Sequence, residues 1–203
     1  MIVSSYNKEG VGDTLLLMLK NSEKEAQSFE RKGNIARIFD AESNETVGYN
    51  FFNVSETVTI EGNGPVVLSE KDVELLNQAL AESGFEETLT ADNTPKFVVG
   101  HVKECVPHPD SDHLSITQTE IDNGEVVQIV CGASNIAEGQ KVVVAKVGAI
   151  MPNGLVIWDG ELRGEPSYGM ICSARELELE DAPNEKGILV LPETAVTGEA
   201  FKG

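Results

Sequence analysis

HLSITQTEIDNGEVVQIVC, residues 113–131, reads as two β-rich runs, His113–Ile121 and Glu125–Cys131, parted by the turn signal Asp122-Asn123-Gly124. The same texture continues on both sides. Phe97–Cys105, Lys141–Val147, Leu155–Leu162 and Met170–Ser173 are further strand-like stretches, and Glu138-Gly139 and Pro152-Asn153-Gly154 are further turns. Many short strands with Gly and Asn turns imply a barrel or a sandwich. The 107 residues from Phe97 onward suit a five-stranded Greek-key barrel of the OB-fold kind.

Upstream the pattern changes. Thr14–Lys20 is short and apolar, and Asn34–Asp40 and Thr46–Asn53 alternate apolar and polar residues at strand spacing. A three-stranded antiparallel meander fits these segments. A helix follows: Ser69 can cap it, Asp72 stands three residues on, and Val73, Leu76 and Leu80 fall at helical spacing, with Leu75 and Ala79 widening the stripe. Gly84 is placed to end it. Glu86–Lys96 is polar and without periodicity, so it reads as a linker. The expected class is α+β: a small antiparallel-sheet-plus-helix domain over residues 1–95, then an OB-fold barrel over 96–203.

Bulk composition narrows the function. Of 203 residues 40% are hydrophobic, enough for packed cores, but only 5% are aromatic, so aliphatic side chains carry the packing. The net charge is −19. Residues 1–96 hold 8 basic and 17 acidic side chains, a net of −9, and residues 97–203 hold 7 and 17, a net of −10. Composition by itself therefore speaks against nucleic acid, whose phosphates favour basic surfaces. Met1 leads into the polar Ser4-Ser5-Tyr6-Asn7 rather than a basic start and apolar run, and Leu15–Leu19 is the longest apolar stretch. No membrane association and a cytoplasmic location are expected. The three cysteines, Cys105, Cys131 and Cys172, form no CxxC pair and read as small buried hydrophobes.

Three ordered segments carry more information. They are His108-Pro109-Asp110-Ser111-Asp112-His113-Leu114, then Gln128–Asn135 (QIVCGASN), then Arg163–Leu177 (RGEPSYGMICSAREL). Together they resemble the tRNA-binding domain at the N-terminus of bacterial phenylalanyl-tRNA synthetase β-subunits, a module also found in free-standing tRNA-binding proteins. The likeness runs from Phe97 through Pro192, and the whole architecture resembles free-standing YtpR-type proteins. The resemblance implies a non-catalytic tRNA binder, without cofactor, and a homodimer. One departure concerns the segment before Arg163-Gly164. The module often carries several lysines there, whereas this chain has Ile157-Trp158-Asp159-Gly160-Glu161-Leu162, with two acids.

Each motif has a structural and a functional reading. Pro109 cannot donate a ladder hydrogen bond, and Asp110, Ser111 and Asp112 can fix a turn; alternatively Asp112 and His113 belong to an RNA-facing rim. Ser134 and Asn135 can bond a base edge or a 2′-hydroxyl, or Asn135 caps a turn. Ser167 and Ser173 flank Gly169-Met170, and Met170 is either an adaptable platform for a base or core. Arg163 and Arg175 are the best phosphate ligands, because guanidinium forms paired bonds to phosphate oxygens, and Lys103 and Lys146 are secondary candidates. Tyr168, inside the third motif, is the preferred base stacker, with Trp158 as another.

Other chemistry is poorly served. His108, Asp110, Asp112 and His113, with Cys105 nearby, suit zinc by type but lack a second ligand group, so no metal is expected. No P-loop, GxSxG or dinucleotide fingerprint occurs, and an enzyme ranks last. The alternative to tRNA binding is a protein-interaction module docking on a basic partner of the translation machinery, a reading favoured by Asp159, Glu161 and Glu165.

Overall fold

The first 94 residues build one antiparallel sheet against one long helix. In chain order they form β1 (Val3–Tyr6), the one-turn α1 (Lys8–Val11), β2 (Thr14–Met18), β3 (Gln27–Lys32), β4 (Ile35–Asp40), β5 (Thr46–Phe52), the two-residue β6 (Gly64–Pro65) and α2 (Glu70–Glu82). The computed structural model describes residues 1–183 and 186–202, in two units, Met1–Thr94 and Pro95–Gly203.

The strand order is β3-β4-β5-β2-β1-β6. Leu15 and Leu17 of β2 and Tyr49 and Phe51 of β5 alternate onto the face covered by α2. Val73, Leu76 and Leu80 form the answering stripe. Each such side chain contributes roughly 1.5–3 kcal/mol on burial. The helix starts where Ser69 and Asp72 close a reciprocal capping box: the Asp72 N–H donates to Ser69 Oγ, and the Ser69 N–H donates to the Asp72 carboxylate.

The expected meander is corrected. β2, β4 and β5 are neighbours and antiparallel, but β5 lies between the other two. Gly48 permits the close β2–β5 approach this order needs. A Cβ there would stand 2.4 Å from the Leu17 carbonyl oxygen, so β5 is shaped to receive β2 at close range. β3 escaped the sequence reading because Gln27, Phe29, Glu30 and Arg31 are exposed on this edge strand, and no alternation results.

The second unit contains β7 (Phe97–Pro107), β8 (Ser115–Asp122), β9 (Glu125–Cys131), β10 (Lys141–Ala145), β11 (Asp159–Leu162), β12 (Glu165–Tyr168), β13 (Met170–Ile171) and β14 (Val190–Leu191). Its main sheet runs β13-β10-β7-β8-β9, with β14 also on β10, and curls into an OB-like barrel. A register shift between Val102 and Glu104 bends the long β7. β10 is buried on both sides. Val142 and Val144 pack with Val98, Val102, Ile129 and Ile171, while Val143 and Ala145 pack with Ala149, Met151 and Ile157.

Several strand ends shift by a few residues from expectation, and two larger differences shape the site. Leu155–Leu162 is a strand only from Asp159, because residues 149–157 fold back on themselves through the Ile150–Val156 bridge. Glu165–Tyr168, unread as a strand, pairs with β11. The two-residue turn between them places Arg163 at φ 50° and Gly164 at φ 87°, the left-handed pair that a tight hairpin needs. Among the described residues no helix is long and apolar enough to cross a membrane.

Candidate nucleic-acid interface

The β11–β12 ribbon stands apart from the main sheet, and polar contacts hold it there. At its base, the Val130 N–H of β9 donates to Ser167 Oγ at 3.1 Å, and Gln128 Nε2 donates to the Pro166 carbonyl at 2.9 Å. At its tip, the buried His108 ring accepts the Asp110 N–H at Nδ1 (3.0 Å). That leaves Nε2 to donate to the Leu162 carbonyl at 3.1 Å. The Arg163 guanidinium donates to the Asp110 carbonyl at 3.0 Å. Gly169, at φ 125°, turns the chain into β13 so close to β10 that a Cβ would meet the Ala145 carbonyl oxygen at 2.8 Å.

Beside the ribbon lies a groove of about 590 Å³. Strand alternation decides what faces it. Trp158, Gly160, Leu162 and Ser167 line the groove. Asp159 and Glu161 fall on the opposite face, where Asp159 is the cross-strand partner of the exposed Tyr168. Met170 and Ile171 form part of the floor, and Arg175 and Lys186 supply cations at the rim. Glu176 also lines it, but its carboxylate accepts the Ser173 N–H and hydroxyl, both at 2.7 Å. The Glu176 N–H returns a bond to Ser173 Oγ. A smaller recess of about 250 Å³ adjoins, sharing Ser173, Arg175 and Ile188 and including Asn135.

Of the twelve sequence-derived candidates, the groove gathers Ser167, Met170, Ser173 and Arg175, and the recess adds Asn135. Ser167, Ser173 and Asn135 are already engaged. The Asn135 amide accepts the Ile188 N–H at 2.9 Å and donates to the Ile188 carbonyl at 3.0 Å, clamping a distant segment rather than capping a turn. Ser134 is exposed in the loop after β9. The other candidates lie elsewhere. Arg163 sits at the ribbon tip, outside the groove lining. Asp112 and His113 are exposed beside it, with His113 Nδ1 3.0 Å from the Asp112 carboxylate; that hydrogen bond holds the Asp112 carboxyl below its usual range. Lys103 pairs with Glu120 at 3.4 Å on the β7–β8 surface, and Lys146 follows β10. Lys186 was not among the candidates and no motif marks it. The Ser173–Glu176 box was legible as S-x-x-E but went unread.

Burial pushes the thiols of Cys131 and Cys172 up, Cys172 to about 12, so both pack as apolar groups. Among the described residues no cluster of three or more His, Cys, Asp or Glu side chains is arranged to hold a metal ion.

Residues 97–200 match the family model described as "Putative tRNA binding domain". The chain belongs to the tRNA-binding-domain family. Residues 22–92 match a second model, a domain of unknown function, DUF4479. The chain is 55% identical over 197 residues to the "Putative tRNA-binding protein YtpR" of Bacillus subtilis, an alignment covering 97% of this chain and 98% of that protein. It is 56% identical over 102 residues to the phenylalanine–tRNA ligase beta subunit of Oleidesulfovibrio alaskensis, covering 50% of this chain and 12% of that one. The beta subunit of Listeria innocua is 47% identical over 133 residues, covering 62% and 16%. The groove and its ribbon lie wholly within the part that defines membership of the family.

Proposed function

We propose that this protein binds tRNA without catalysing a reaction on it, and that the groove beside the β11–β12 ribbon is the centre of the contact. The observation that carries this reading is the groove itself. In a chain of net charge −19, it joins a planar indole, an apolar floor and two rim cations inside the family-matched module. Guanidinium and ammonium groups neutralise phosphates, and the surrounding negative charge is screened within a Debye length of about 8 Å at physiological salt. Arg163 and His113 at the ribbon tip can donate to backbone phosphates, and the ionised Asp112 can accept from a 2′-hydroxyl. Filter binding with bulk tRNA tests the proposal. Retention at low salt that weakens with added salt and with Arg175→Ala is the expected result. No retention at any salt concentration overturns it.

A second reading rests on the other face of the ribbon. Asp159 and Glu161 flank the exposed Tyr168 there, a surface suited to a basic protein of the translation machinery. Capture of such a protein that survives nuclease treatment, together with absent tRNA retention, would favour it.

A further inference from the structure

We propose that the groove takes one unpaired nucleotide of the RNA, its base laid on Trp158 and its phosphate at Arg175 and Lys186, and that paired RNA does not enter. The inference rests on the tRNA reading above and names which part of the molecule the groove accepts.

Three observations carry it. The first is size. At about 590 Å³ the groove falls within the roughly 300–1,000 Å³ of pockets that enclose a small ligand, a size that suits a single nucleotide. The second is the wall chemistry. Val130, Ile157, Leu162, Ile171 and Ile188 surround Trp158 and Met170. An A-form duplex offers phosphates, riboses and 2′-hydroxyls to a protein, and burying those against aliphatic walls without partners is costly. A splayed-out base offers an apolar π-face instead, which indole and thioether accept. The third is the placement of charge. Ribbon alternation sends Asp159 and Glu161 to the far face, and among the described residues the one acid on the groove lining, Glu176, already accepts two hydrogen bonds from Ser173. The Arg175 guanidinium makes no hydrogen bond or ion pair among the described residues, since only the Arg175 carbonyl is engaged, by the Glu178 N–H, so the cation is available at the rim.

The chain contains a single tryptophan, so its emission reports on this groove alone. The full-length protein is titrated at low salt with a short unstructured oligoribonucleotide, a blunt-ended RNA duplex, and tRNA with and without its unpaired 3′ end. Saturable change in Trp158 emission with the oligonucleotide and intact tRNA, none with the duplex, and competition between oligonucleotide and tRNA are expected. Loss of the emission change with the trimmed tRNA assigns the nucleotide to the 3′ end; its persistence assigns it to a loop. In anisotropy with labelled oligonucleotide, Trp158→Leu is expected to weaken binding about tenfold or more. Trp158→Phe is expected to retain most of it, and Tyr168→Leu, on the opposite face, to leave it unchanged. Should Trp158→Leu fail to fold, the wild-type titration decides. tRNA retained on filters without any change in Trp158 emission, or duplex binding as well as the oligonucleotide, overturns this inference and leaves the tRNA reading standing. Failure of tRNA itself to bind removes both.

Discussion

Asn135, Ser167 and Ser173 show how polar residues near a candidate site divide their work. Each looks like a ligand donor in sequence, and each is committed to backbone or to a cap in the structure. Asn135→Ala strips the Ile188 N–H and carbonyl of their partners, so a loss of about 1–3 kcal/mol is expected, read as a lower midpoint in urea unfolding followed by Trp158 emission. In the first unit, Asp13 accepts from the Ser55 hydroxyl, the Tyr6 hydroxyl and the Ser55 amide, and these bonds, the Ser55 hydroxyl foremost, hold its carboxyl below the usual range. A depressed carboxyl contributes stability above its unfolded value of about 3.9, and that contribution is lost as pH falls through the folded value. Asp13→Asn is therefore expected to flatten the acid limb of thermal stability below about pH 4, as followed by circular dichroism. An unchanged acid limb would assign the loss to other carboxylates.

At the scale of elements, periodicity told most where one face is buried. The stripe of α2 and the alternation of β5 were legible because Val73, Leu76, Leu80, Tyr49 and Phe51 all meet one core. The edge strand β3 and the ribbon strand β12 bury little, so nothing in their side chains announces them. Removing the α2 cap with Ser69→Ala is expected to cost about 1 kcal/mol, seen as a lower melting temperature. Gly48→Ala forces a methyl against the Leu17 carbonyl oxygen and must spread β5 from β2; a loss of about 1–3 kcal/mol or more is expected from chemical denaturation. A neutral Gly48→Ala would mean that the two strands separate freely. The ribbon shows the converse of the sequence reading. The acids at 159 and 161 looked like an obstacle to RNA, yet alternation turns them away from the groove that Trp158 and Leu162 line.

The whole molecule presents −19 charges to a polyanion, almost evenly shared along the chain. Long-range attraction cannot drive the proposed tRNA binding, so short-range contacts must. With three or four phosphates contacted, log Kobs against log salt is expected to fall with a slope of about −2 to −3, at roughly −0.7 per contact, and Arg175→Ala should remove about one such contact. A slope near zero with retained affinity would point to stacking and shape alone. Residues 1–96, which include the DUF4479 match, carry a net charge of −9, so their electrostatic contribution to RNA binding is expected to be repulsive.

Sequence alone determined the class of the fold, the family and the start of α2, because strand alternation, turn residues and caps are written in neighbours only a few positions apart. Three ordered motifs were enough to identify the module. Only the tertiary structure decided that Trp158 rather than Tyr168 faces the groove, that Arg163 and Arg175 serve different places, and that Asn135 is spent on Ile188. Alternation says which residues share a face. Which of two faces turns inward depends on hydrogen bonds such as Ser167 to Val130 and His108 to Leu162, made between segments far apart in the chain.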